Sequence, residues 1–187
     1  MSTQYEQINA PRFVVETVGG HEQIAIAAQR NIFIMLFLLV WLGGWTVGGV
    51  AAIGALLSTS FQPFLVFWLG GWALGEALVA ATLCWLFSGV EVLRVLGSDL
   101  EVSHQMLGFT RRRLFRGSEI RDLSSYATPF FGRYNQMPLP FLAGNKTGSV
   151  KFTYGARTIY LAAGLDEPEG RLIVDRLRQR LPSTAAA

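Results

Sequence analysis

Between residues 31 and 90 the chain carries a single ionised side chain, Glu76, and that gap constrains its fold more than any other feature. All other charges of the 16 Lys and Arg and 13 Asp and Glu lie before residue 31 or after residue 90. Only 16% of the chain is charged, against about 25% for an ordinary soluble domain. The deficit is therefore local. It predicts a membrane segment joined to a modest soluble portion, not a uniformly apolar globule. The one cysteine, Cys84, has no partner in the chain, which excludes a disulfide framework.

Within the gap, residues 31–57 are free of charge and residues 62–87 hold only Glu76. A span needs roughly 20 apolar residues, so each run is long enough to cross with some tilt. The polar turn Ser58-Thr59-Ser60-Phe61-Gln62-Pro63 joins them, so the expected unit is an antiparallel transmembrane hairpin over 31–87. It begins too far along the chain, and without a basic leader, to be a secretory signal. Arg30 before the spans, and Arg94, Arg111, Arg112, Arg113 and Arg116 after them, outweigh a connecting turn with no basic residue. The positive-inside bias then predicts a multi-pass inner-membrane protein with both termini cytoplasmic.

The pentapeptide Trp41-Leu42-Gly43-Gly44-Trp45 recurs as Trp68-Leu69-Gly70-Gly71-Trp72. Each copy extends into a GxxxG pattern, Gly44 with Gly48 and Gly71 with Gly75. A turn near residue 59 or 60 sets Gly44 opposite Gly75 and Gly48 opposite Gly71. Small residues there allow close helix approach in lipid. A self-packed hairpin and a groove for another subunit's helix both use such glycines, and the register within the chain favours the first. Glu76 is the intramembrane polar candidate. With no chain of titratable groups beside it, a hydrogen bond to Thr46, to a backbone carbonyl or to a partner helix is expected ahead of a proton relay.

After residue 90 the pattern changes to short alternating segments. Strands are expected at 90–96, 100–104, 109–115 and 120–126, then at 150–154 and 158–162 around a three-residue Gly155-Ala156-Arg157 turn. A final helix follows, with Asp166 as N-cap, Glu169 completing a capping box, and Ile173, Val174, Leu177 and Leu181 on one face. The organisation predicted is an N-terminal cytoplasmic segment 1–30, the hairpin, a domain over 90–181 and a tail 182–187. Within the first segment, residues 12–18 suit a strand and residues 22–30 an extension of the first span. The fold class expected is a membrane α-helical hairpin plus an α+β domain, a bent antiparallel sheet or partial barrel capped by the C-terminal helix.

Glu91-Val92-Leu93, Leu100-Glu101-Val102, Gly108-Phe109-Thr110-Arg111 and Ile120-Arg121-Asp122-Leu123 follow the hairpin in that order. Phe152 to Thr158, Gly164-Leu165 and the terminal helix complete the series. Together they resemble bacterial two-span membrane proteins with a C-terminal PH-like domain, a mostly uncharacterised family, over residues 31–181. The resemblance implies a PH-like roll. One PH-like membrane family is associated with assembly of photosynthetic complexes in purple bacteria, which makes a photosynthetic or other energy-transducing complex one candidate setting. Fold alone fixes no function.

Catalytic, metal and cofactor residues are not expected. His21 and His104 stand alone, no phosphate or dinucleotide loop appears, and neither span holds a histidine. Arg111, Arg112, Arg113 and Arg116 are candidate lipid-headgroup residues, but strand alternation turns them to both faces, so a solvated flank is the simpler expectation. No nucleic-acid motif accompanies them. Phe130, Phe131, Tyr134 and Phe141 crowd an irregular segment, either folding over the sheet or docking a partner. The leading expectation is a non-enzymatic membrane adaptor, accessory subunit or assembly factor, whose partners are membrane lipid and other integral membrane subunits. An anionic-lipid-sensing module is the alternative.

Overall fold

The computed structural model describes residues 11–58, 63–127 and 148–186. Strands β1 (Phe13–Val18) and β2 (His21–Ala27) come first, then helices α1 (Ile32–Ser58) and α2 (Pro63–Ser88). Strands β3 (Val90–Leu96), β4 (Asp99–Met106) and β5 (Phe109–Phe115) follow. A short 3-10 turn leads to β6 (Ile120–Ser125), β7 (Val150–Tyr154), β8 (Arg157–Leu161) and the terminal helix α3 (Glu167–Arg178). Both long helices are apolar and long enough to cross a membrane.

The first five strands form one antiparallel sheet in the order β1-β2-β3-β4-β5. β2 pairs with β3 from Gln23↔Arg94 to Ala27↔Val90. The helical hairpin is thus an excursion between two hydrogen-bonded neighbours of a single sheet. This corrects the expectation that residues 22–30 extend the first span. The alternation Ile24-Ala25-Ile26 is a strand signal, with Ile24 and Ile26 buried and Ala25 between them more open. Residues 13–27 are therefore part of the sheet unit and not a separate segment. The chain is fastened at the crossing: Ala28 N–H donates to Gly89 O at 2.9 Å, and Arg30 donates to Phe87 O at 3.1 Å. The Arg30 contact satisfies a carbonyl at the negative end of α2, while Asn31 Oδ1 caps α1 by accepting from Ile34 N–H.

Strands β6, β7 and β8 make a second antiparallel sheet. Tyr154 pairs with Arg157, so the turn between β7 and β8 has two residues, Gly155 and Ala156, not the expected three. Phe115 meets Phe152 and Tyr154 edge-on at 5.2 Å, tying the sheets together. Leu93, Leu100 and Val102 from the first sheet share one core with Ile120, Leu123 and Phe152 from the second. Ile173, Val174, Leu177 and Leu181 of the terminal segment are buried in it, as their spacing predicts. Each such side chain contributes about 1.5–3 kcal/mol by leaving water.

Helix α3 starts at the expected capping box, with Asp166 N–H donating to Glu169 at 3.0 Å. Polar contacts hold it to both sheets. Arg12 pairs with Glu169 at 2.7 Å and Asp166 at 2.8 Å, Glu22 pairs with Arg176 and Arg180, and Arg178 donates to Leu123 O. The ends of the described chain therefore close on each other, which again makes residues 11–27 integral to the sheet unit.

Candidate functional site

Inside the hairpin, the less exposed positions of α1 are Met35, Leu38, Leu42, Trp45, Gly49, Ala52 and Leu56. They recur at alternating steps of three and four, the seam of a coiled coil. On α2 the same spacing passes through Leu65, Leu69, Trp72, Glu76, Val79, Leu83 and Leu86. The contact glycine is Gly49, where an added Cβ would lie only 2.0 Å from the Trp72 ring. At Gly44, Gly48, Gly71 and Gly75 an added Cβ would meet nothing within 4 Å. The expected packing of Gly44 on Gly75 and Gly48 on Gly71 is thereby corrected. The repeated pentapeptide packs through its tryptophans. Trp41 and Trp45 lie 4.3 Å apart, Trp45 and Trp72 6.1 Å apart and nearly parallel, and Trp68 and Trp72 6.5 Å apart. These broad rings fill the interface that glycines would otherwise close.

Glu76 lies on this seam, facing Thr46 of α1. Thr46 Oγ1 is within hydrogen-bond distance of Glu76 Oε1 and is 2.9 Å from Leu42 O. The Thr46 hydroxyl is the donor at both contacts, and its one proton serves either Glu76 across the seam or Leu42 O within its own helix at any moment. The arrangement links the two helices through one polar contact in an otherwise apolar seam.

A second polar group sits where α2 meets the sheet. The register aligns Glu91, His104 and Arg111 across β3, β4 and β5. They lie on the face that carries Leu93 and Val102 into the core. Glu91 and His104 are 4% and 3% exposed. Glu91 accepts the N–H of Ala162 at 3.0 Å and lies 3.9 Å from His104 Nε2, too far for a hydrogen bond. The Trp85 ring of α2 covers His104 at 5.8 Å. Burial pushes His104 down to about 4, aided by the charges of Arg113 and then Arg111, so the ring is neutral near pH 7. His104 is a strand residue of β4, buried on the core-side face of the sheet. The signal was present in sequence, because alternation puts His104 on the face of Leu100 and Val102.

The four arginines do not converge. Arg111 and Arg113 share the core-side face of β5, Arg112 is exposed on the other, and Arg116 lies beyond the strand beside Glu119 at 3.6 Å. His21 is exposed at the far end of β2. Phe130, Phe131, Tyr134 and Phe141 fall outside the described residues. Among the described residues, no group of three or more His, Cys, Asp or Glu is placed to hold a metal ion. Comparison with family models, curated proteins and solved structures finds no match.

Proposed function

We propose that the protein is a non-enzymatic integral membrane adaptor, an accessory subunit or assembly factor that docks on a larger membrane complex. In this proposal its hairpin is the anchor and its two-sheet unit is a PH-like roll held at the cytoplasmic surface. The observation that carries it is the position of the glycines. Gly44, Gly48 and Gly71 are exposed and unpacked on helices whose mutual seam lies elsewhere. Glycine on a lipid-facing helix surface supplies no packing to its own hairpin, yet it lets a second helix approach closely. The excursion of the hairpin between β2 and β3 supports the same reading, since a helix docked in the membrane fixes the position of the sheet below it. Basic residues on the sheet side favour a cytoplasmic placement.

Purification in mild detergent tests this. A stoichiometric complex is expected, and Gly44→Leu with Gly48→Leu should release the partner while the chain remains folded. A lone chain with no co-purifying subunit would refute it. A headgroup sensor built on all four arginines is not preferred, because they occupy different faces of the strand.

A further inference from the structure

The turn between β4 and β5 stands apart from the other turns of the first sheet. β2 runs toward α1 and β3 runs away from α2, so the turns Gly19-Gly20 and Gly97-Ser98 lie at the end of the sheet remote from the helices. Both are built of glycine and serine. β4 returns toward the helices, and Gln105 pairs with Val90, the first strand residue after α2. Met106 to Phe109 therefore project past the start of β3, by about 3.3 Å for each residue. They reach the level of the last turn of α2. Met106 pairs with Phe109, leaving Leu107 and Gly108 as a two-residue turn with φ values of 48° and 84°.

Leucine is an unusual choice there. Positive φ favours glycine, asparagine or aspartate, and a left-handed turn residue has no backbone reason to be branched and apolar. Burial within the protein does not account for it either, since Leu107 is 61% and Phe109 68% exposed. Arg112, exposed on the open edge strand, lies just behind them. Two exposed apolar side chains at the tip, backed by a cation, on the helix side of the sheet, suit the boundary between acyl chains and phosphate groups.

We propose that the β4–β5 turn is a membrane-dipping wedge: Leu107 and Phe109 enter the interface of the bilayer that the hairpin spans, with Arg112 at the headgroup phosphates. This rests on the hairpin crossing a membrane. The wedge would give the sheet a second attachment besides the chain connections at Ala28 and Gly89, fixing its tilt against the bilayer.

The test places one fluorophore at a time on the full chain in a Cys84→Ala background, using Leu107→Cys, Phe109→Cys, Ser98→Cys and Val47→Cys. The protein is reconstituted in vesicles of phosphatidylcholine and phosphatidylglycerol carrying nitroxide lipids, with the spin label either near the headgroup or deep in the chains. The headgroup-level quencher should reduce and the bilayer should blue-shift emission at 107 and 109, while 98 keeps the emission of a probe in water. Val47, on the exposed surface of α1, should be quenched by the deep label. If 47 is quenched and both 107 and 109 behave like 98, the wedge is refuted and the spanning hairpin stands. If 47 is not quenched, the spanning reading itself fails and takes the wedge with it.

Discussion

Replacing Gly49 by alanine separates the tryptophan seam from the glycine register that the sequence pattern suggests. The new Cβ would lie 2.0 Å from Trp72 Cη2, 2.3 Å from Cζ2 and 2.6 Å from Cζ3. Ordinary contact begins at 3.4 Å, so the closest pair is about 1.4 Å short. Trp72 cannot simply swing aside, because its ring is stacked on Trp45 and Trp68. Either the helices separate or the ladder breaks, and overpacking of this kind costs about 1–3 kcal/mol. Alanine at Gly44, Gly48 or Gly71 meets open space and should change stability by less than about 0.5 kcal/mol. The assay is unfolding of the hairpin by increasing SDS fraction in mixed micelles, followed by tryptophan fluorescence and near-ultraviolet circular dichroism. Gly49→Ala should lower the midpoint and diminish the aromatic dichroism, and Gly48→Ala should do neither. Equal effects at 48 and 49, or no effect at 49, would refute the seam.

The remaining predictions concern polar contacts and the core. Stability of the soluble unit should fall as pH drops from about 6.5 toward 4, because the unfolded chain protonates His104 before the folded one does. The loss from this group is on the order of 3 kcal/mol, and thermal melts of His104→Gln over the same range should lack it. Glu169 is opposed by burial but held below its usual range by hydrogen bonds from Arg12. Its contribution is present above about 4.5 and lost on acidification below that; because Arg12 is half-exposed, Arg12→Ala should lower stability by only about 1 kcal/mol in a denaturant titration. Leu123→Ala, at a fully buried position in the core that both sheets share, should cost about 2–5 kcal/mol by urea unfolding. Glu76→Gln should leave the hairpin midpoint nearly unchanged, since the amide oxygen can still accept from Thr46, whereas Glu76→Leu strands the hydroxyl contact and should lower it.

The parts legible in the sequence are those with strong local contrast. Both helices, the strands at 90–96, 109–115 and 150–154, and the capping box at Asp166 fall within a residue or two of expectation. The seam was illegible because every side of these helices is apolar, so no polar face marks the contact side. The repeated glycine motif points to Gly44 and Gly48, and the contact residue Gly49 lies just outside it. The pairing of β2 with β3 was hidden for a different reason. It joins residues on either side of a long helical excursion, and Ile24 and Ile26 stand next to an apolar run that masks their alternation. The cluster of Glu91, His104 and Trp85 combines strands with a helix base, and spacing in one strand reveals only which face His104 takes.

One sheet is built from chain on both sides of the helical hairpin, and in the proposed placement that hairpin crosses the membrane twice. Single cysteines at Gly20, Ser98 and Ser58, in a Cys84→Ala background, test it by reaction with a membrane-impermeant maleimide in intact cells and in inverted vesicles. Positions 20 and 98 should be protected in cells and reactive in inverted vesicles, and position 58 at the hairpin tip should show the reverse. Opposite accessibility of 20 and 98, or the same accessibility for all three, would contradict that placement.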